Sequence, residues 1–80
     1  MKIDKIHQLA MSENGFVFDP LTGYSYNVNE TGRFILKCLN EELSNEQIVQ
    51  KLVDEFEVSS DLAENDLNYF YSQLSVYQLI

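Results

Sequence analysis

Eighty residues hold one small domain, and 45% hydrophobic content with three Gly and one Pro makes a packed core, not a disordered chain. Five Lys and Arg against thirteen Asp and Glu give a net charge of −8, which repels polyanions and excludes nucleic acid or an anionic membrane as the partner. A lone cysteine, Cys38, excludes an internal disulfide and any Cys-clustered metal site.

From the N-terminus, Met1-Lys2-Ile3-Asp4-Lys5 lacks the apolar stretch of a secretory signal. No apolar run approaches the roughly 20 residues of a membrane span. A cytoplasmic location is expected. Three strands follow: Ile6 to Met11, Phe16 to Phe18, and Tyr24 to Val28, the last alternating apolar and polar as a half-buried strand does. Ser12-Glu13-Asn14-Gly15 supplies the first turn, with Asn-Gly tolerating positive φ. Asp19-Pro20-Leu21-Thr22-Gly23 supplies the second, Pro fixing φ early and Gly closing it. Two short connections make a three-stranded antiparallel meander.

The remainder reads as helices. Asn29 caps a first helix over Glu30 to Leu39, with Phe34, Ile35, Cys38 and Leu39 on one face. Ser44 with Gln47 has the spacing of a capping box and opens a second, whose apolar stripe is Ile48, Val49, Leu52, Val53 and Phe56. A third opens at Ser59, Ser60 or Asp61, with Asp61 and Glu64 the better box, and carries Ala63, Leu67, Phe70, Leu74 and Tyr77 along one face. The first two helices are joined by about four residues, a helix-turn-helix spacing. The fold class is therefore α+β and winged helix-turn-helix-like, a three-stranded antiparallel sheet followed by three helices, in one domain over residues 1–80.

Chemistry is sparse. His7, the only histidine, falls within the first strand without a second His or Cys at motif spacing. Cys38 lies on an apolar helix face, where a thiol behaves as a small hydrophobe; neighbouring Lys37 should point away from it. The carboxylates, Glu41-Glu42, Asp54-Glu55-Glu57 and Asp61/Glu64/Asp66, read as solvated faces and caps, with no calcium-loop spacing. A phosphate-binding Gly-Lys-Ser/Thr is absent. The size and acidity suit an acyl carrier protein, but Ser59-Ser60-Asp61-Leu62 has the wrong order and the strand-rich first third contradicts that all-helical fold. The chain is expected to be no enzyme and to hold no cofactor or metal.

A binding surface remains. In a meander the third strand is an edge, and Tyr24 to Val28 carries neither Lys nor Pro to block pairing. The third helix carries Tyr69-Phe70-Tyr71, with Tyr71 beside Leu67 and Leu74. Facing that strand, this flank would form a groove for an extended peptide added as a strand; otherwise the tyrosines merely cover the rim of the core.

Phe16-Val17-Phe18-Asp19, Gly23-Tyr24 and Tyr26-Asn27-Val28-Asn29-Glu30-Thr31-Gly32 together resemble the PqqD-like family, the peptide chaperones or precursor-peptide recognition elements of ribosomal peptide modification. Ile35 and Leu39, then Ile48-Val49 and Leu52, then Glu64-Asn65-Asp66-Leu67 and Leu74 with Leu79-Ile80 agree with the family's helices, so the resemblance spans about residues 6 to 80. Three positions depart: Val28 stands for the usual Leu, Asn40-Glu41 for Asp-Gly after the first helix, and Gln78 for the Gly that stops the third, leaving that helix free to run on.

The resemblance implies a non-catalytic domain that binds the leader of a precursor peptide as an added strand and presents it to a modifying enzyme. That enzyme is a radical S-adenosylmethionine enzyme or, in other systems, a leader peptidase or cyclase. It implies strand contacts at Tyr24, Ser25, Tyr26, Asn27 and Val28 and helix contacts at Leu67, Tyr71 and Leu74. Ordering the leader costs about 2–5 kcal/mol, so affinity near micromolar is expected. The acidic charge favours a leader with Lys or Arg near its anchors. An open edge strand suits a monomer or weak dimer. The competing readings are an acidic protein–protein adaptor using Glu41 to Glu57 and a winged-helix regulator; the latter lacks basic residues, Lys51 being the only one on the second and third helices.

Overall fold

Three strands followed by three long helices is the order found in a computed structural model, which describes residues 4–12, 14–77 and 79. The elements are α1 (Asp4–His7), β1 (Ala10–Met11), β2 (Phe16–Phe18), β3 (Ser25–Asn27), α2 (Glu30–Asn40), α3 (Asn45–Phe56) and α4 (Ser60–Val76). The expected strand over Ile6 to Met11 is corrected. Its first part is the short helix α1, because Ile6 and Leu9 sit at helical spacing and the Leu9 N–H donates to the Ile6 carbonyl at 3.2 Å. That turn buries Ile6 in the core, and only Ala10 and Met11 reach the sheet. His7 consequently lies on α1, where Nδ1 meets Asn40 Oδ1 at 2.7 Å and ties α1 to the end of α2.

The sheet is antiparallel in the order β1-β2-β3, with Val17 opposite both Met11 and Tyr26. Val17 is buried while Phe16 and Phe18 point out, the alternation of a sheet covered on one face. Gly15 closes the first turn at φ +87°, and an added Cβ would meet the Val28 carbonyl oxygen at 2.7 Å, so the turn packs directly against the end of the third strand. Of that turn, Glu13 lies outside the described residues. In the second turn Asp19 is wholly buried and its Oδ1 accepts from the Leu21 N–H at 2.9 Å, while Gly23 takes φ +78°. The third strand is shorter than expected: Tyr24 belongs to the turn, its N–H donating to Thr22 Oγ1.

All three long helices start on side-chain caps. Asn29 Oδ1 accepts from the Gly32 N–H at 2.8 Å, and Ser44 with Gln47 forms the complete capping box. Ser59 caps α4, accepting from the Leu62 N–H. This corrects the preference for an Asp61/Glu64 box; starting at Ser60 leaves Leu62 in the box position, and Asp61 serves the helix dipole alone. The stop of α4 comes at Val76, with Tyr77 as cap and the Leu79 N–H returning to the Leu74 carbonyl at 2.8 Å. The helix does not run on; Gln78 itself lies outside the described residues.

Val17, Ile35, Leu36, Ile48 and Leu52 are the most deeply buried large apolar side chains. Leu36 falls outside the expected face of α2 but is buried as well, in the core cluster that also holds Ile6 of α1, Val17 of β2 and Ile48 and Leu52 of α3. The rings of Phe34 and Phe56 meet edge to face at 5.5 Å and join α2 to the end of α3. Tyr77, expected on the buried face of the third helix, is half exposed instead (48%), since it caps the helix beyond its last buried turn.

Candidate functional site

The ladder of β3 decides which way its backbone points. The Asp19 N–H donates to the Tyr24 carbonyl and the Val28 N–H to the Gly15 carbonyl, both at 2.8 Å. Antiparallel pairs alternate, so Tyr24, Tyr26 and Val28 bond inward to β2. Ser25 and Asn27 therefore turn their N–H and C=O groups outward, to the free edge of the sheet.

Alongside that edge lies a groove of about 390 Å³ between β3 and α4. Val17, Ile35, Leu36, Leu74 and Leu79 make its floor. Tyr26, Asn27 and Val28 line the strand side; Asp66, Tyr69, Phe70, Gln73 and Tyr77 line the helix side. Helix and strand run in opposite senses. The Tyr26 and Tyr77 rings stack at 4.7 Å at one end, whereas nearer the other end the Phe70 ring would lie 2.8 Å from a Cβ on Gly32. Gly32 is thus the residue that lets α4 approach the start of α2.

Of the residues expected to bind, Tyr26, Asn27, Val28 and Leu74 come together in the groove. Ser25 extends the strand edge beyond it, and Tyr24 lies outside it in the turn before β3. Leu67 and Tyr71 do not line it: Leu67 is buried in the core, and the Tyr71 hydroxyl donates to Asn45 Oδ1 at 2.6 Å, across to α3. Helical rotation explains this, since Tyr71 follows Phe70 by 100° around the axis, away from the strand. Burial alone raises the Tyr71 hydroxyl above the ordinary tyrosine pKa. Tyr69, Gln73, Tyr77 and Asp66 were missed because a four-and-three spacing marks the core stripe of α4, and the groove wall is the stripe beside it.

Burial pushes the Cys38 thiol up, Glu41 adds to this, and Lys51 and Lys37 act in the opposite sense. Among the described residues no group of His, Cys, Asp and Glu could hold a metal ion, and no helix is long and apolar enough to cross a membrane.

A comparison with protein families matches residues 14–80 to the coenzyme PQQ synthesis protein D (PqqD) family. The chain belongs to the PqqD family. PqqD proteins are non-catalytic accessory proteins that work with a precursor peptide and biosynthetic enzymes. The matched span begins at the first turn and contains β2, β3 and all three long helices, hence every residue of the groove. No curated protein and no solved structure matches the chain.

Proposed function

We propose that this chain is a peptide chaperone: it binds the leader segment of a ribosomally made precursor peptide by strand addition at β3 and presents it to a modifying enzyme. A radical S-adenosylmethionine enzyme is one such partner, a leader peptidase or cyclase another. The observation that carries the reading is the outward backbone of Ser25 and Asn27 beside an apolar groove. Edge donors and acceptors fix the register of an added strand, and a groove on one side takes its alternate side chains. In this reading Ser25 and Asn27, within the span Tyr24 to Val28, offer the backbone, and Tyr26, Asn27, Val28 and Leu74 contact side chains together with Tyr69, Phe70 and Gln73. Leu67 and Tyr71 support α4 from behind.

A backbone-amide NMR titration tests it, using the leader of a short peptide encoded beside this gene. Saturable shifts concentrated at Ser25, Asn27 and the α4 residues from Tyr69 to Leu74 are expected. Shifts confined to Glu41 through Glu57 would favour the acidic adaptor and overturn the groove.

A further inference from the structure

We infer that Asp66 sets the peptide specificity of the groove, and that its ligand is an extended segment carrying one Lys or Arg at a fixed distance from an apolar or aromatic anchor. The inference rests on the peptide-groove reading above and names the chemistry that the groove selects.

Asp66 is the one charged side chain among the described residues that line the groove. The rest of the lining is aliphatic, aromatic or neutral polar. Asp66 is exposed, one helical turn before Phe70, and so lies toward the Asn29–Gly32 end. Among the described residues no cation pairs with it. A carboxylate without a cation partner among the described residues, on the wall of an apolar groove in a chain of net charge −8, favours a cation and repels an acid. The opposite end is enclosed by the Tyr26–Tyr77 stack and by Leu79, which is 3% exposed, and it accepts an apolar side chain.

The distance between the two ends converts into sequence spacing. Asp66 and Tyr77 stand eleven positions apart along α4, roughly 16 Å at the helical rise. An extended strand covers that distance in about five residues. Alternate side chains face the groove, so the base and the anchor are separated by about four or six positions.

The experiment is a selection of random 12-residue peptides displayed on phage against the full chain, its D66N variant and its D66K variant. Thermal melts confirm that each variant is folded. With the unaltered chain, a base should be enriched at a fixed four- or six-residue spacing from an aromatic or branched anchor. D66N should keep the anchor and lose the base, and D66K should replace the base with Asp or Glu. A synthetic consensus peptide should bind D66N more weakly than the unaltered chain by up to about fivefold, the upper end of an exposed ion pair. Selected peptides that keep the anchor but show no fixed base, or a base retained against D66N, overturn the Asp66 inference and leave the groove standing. Selected peptides that do not shift the Ser25 and Asn27 amides overturn both.

Discussion

Tyr26 on β3 and Tyr77 at the end of α4 stack with ring centroids 4.7 Å apart and a 41° tilt, joining the edge strand to the last helix at one end of the groove. Such pairs add about 0.5–1.5 kcal/mol beyond the area they bury. A double-mutant cycle with Tyr26→Leu and Tyr77→Leu should therefore return a coupling near 1 kcal/mol in urea unfolding. Coupling below about 0.3 kcal/mol would show that the rings are neighbours without mutual stabilisation.

Strand addition predicts opposite behaviour at adjacent positions. Asn27→Pro removes an N–H that points to the open edge, and proline is tolerated where that donor faces solvent. Stability should fall by no more than about 1 kcal/mol, while peptide affinity drops about tenfold or more through the lost bond and the blocking ring. Tyr26→Pro removes a donor within the ladder to Val17 and should cost far more stability. Equal loss of stability in the two variants would place the open edge at the wrong residues.

Tyr71→Phe separates the support of α4 from the binding of peptide. The hydroxyl bond to Asn45 is worth about 0.5–1 kcal/mol, and the ring position lies outside the groove. Affinity should stay within twofold. The pH dependence has a definite sign. The folded-state value of Tyr71 is raised by burial, so its contribution is complete below the ordinary tyrosine value and is lost as pH rises through the folded value. Unfolding free energy should decline above pH of about 10, and Tyr71→Phe should flatten that part of the decline. Cys38, also raised by burial, begins its own decline at lower pH and is common to both proteins. A tenfold loss of affinity in Tyr71→Phe would return this side chain to the binding surface.

Most of the scaffold was legible because short-range chemistry dictates it. Asn29 and Ser44 announced two helix starts, Gly15 and Gly23 two turns, and the stripe from Ala63 to Leu74 one buried face. What stayed hidden depends on long-range packing. Ile6 reads as the start of a strand, and its helical turn is fixed only by packing against α2 in the core. Tyr71 and Tyr69 are equivalent flanks of Phe70 in sequence, and only the placement of α3 on one side and β3 on the other assigns the first to support and the second to the groove. Asp66 looked like solvated surface for the same reason.

Glu42 shows how α2 is brought to a stop without a glycine, and what placing one there should do. Beyond the end of α2 the Leu43 N–H returns to the Cys38 carbonyl and the Glu42 N–H to the Leu39 carbonyl, the pair of bonds in a Schellman motif. That motif needs a left-handed residue, and Glu42 takes φ +60° where glycine is usual. The side chain is exposed, and among the described residues it has no bond that would compensate. Glu42→Gly removes the left-handed penalty of about 1–2 kcal/mol but gives the unfolded chain more freedom, so a net gain of about 0.5–1 kcal/mol is expected. The substitution also removes one acid from a chain of net charge −8, so the urea comparison should be repeated with Glu42→Gln. Glu42→Gln relieves the charge and keeps the backbone penalty. A gain in Glu42→Gly matched by Glu42→Gln would assign the effect to charge and not to conformation.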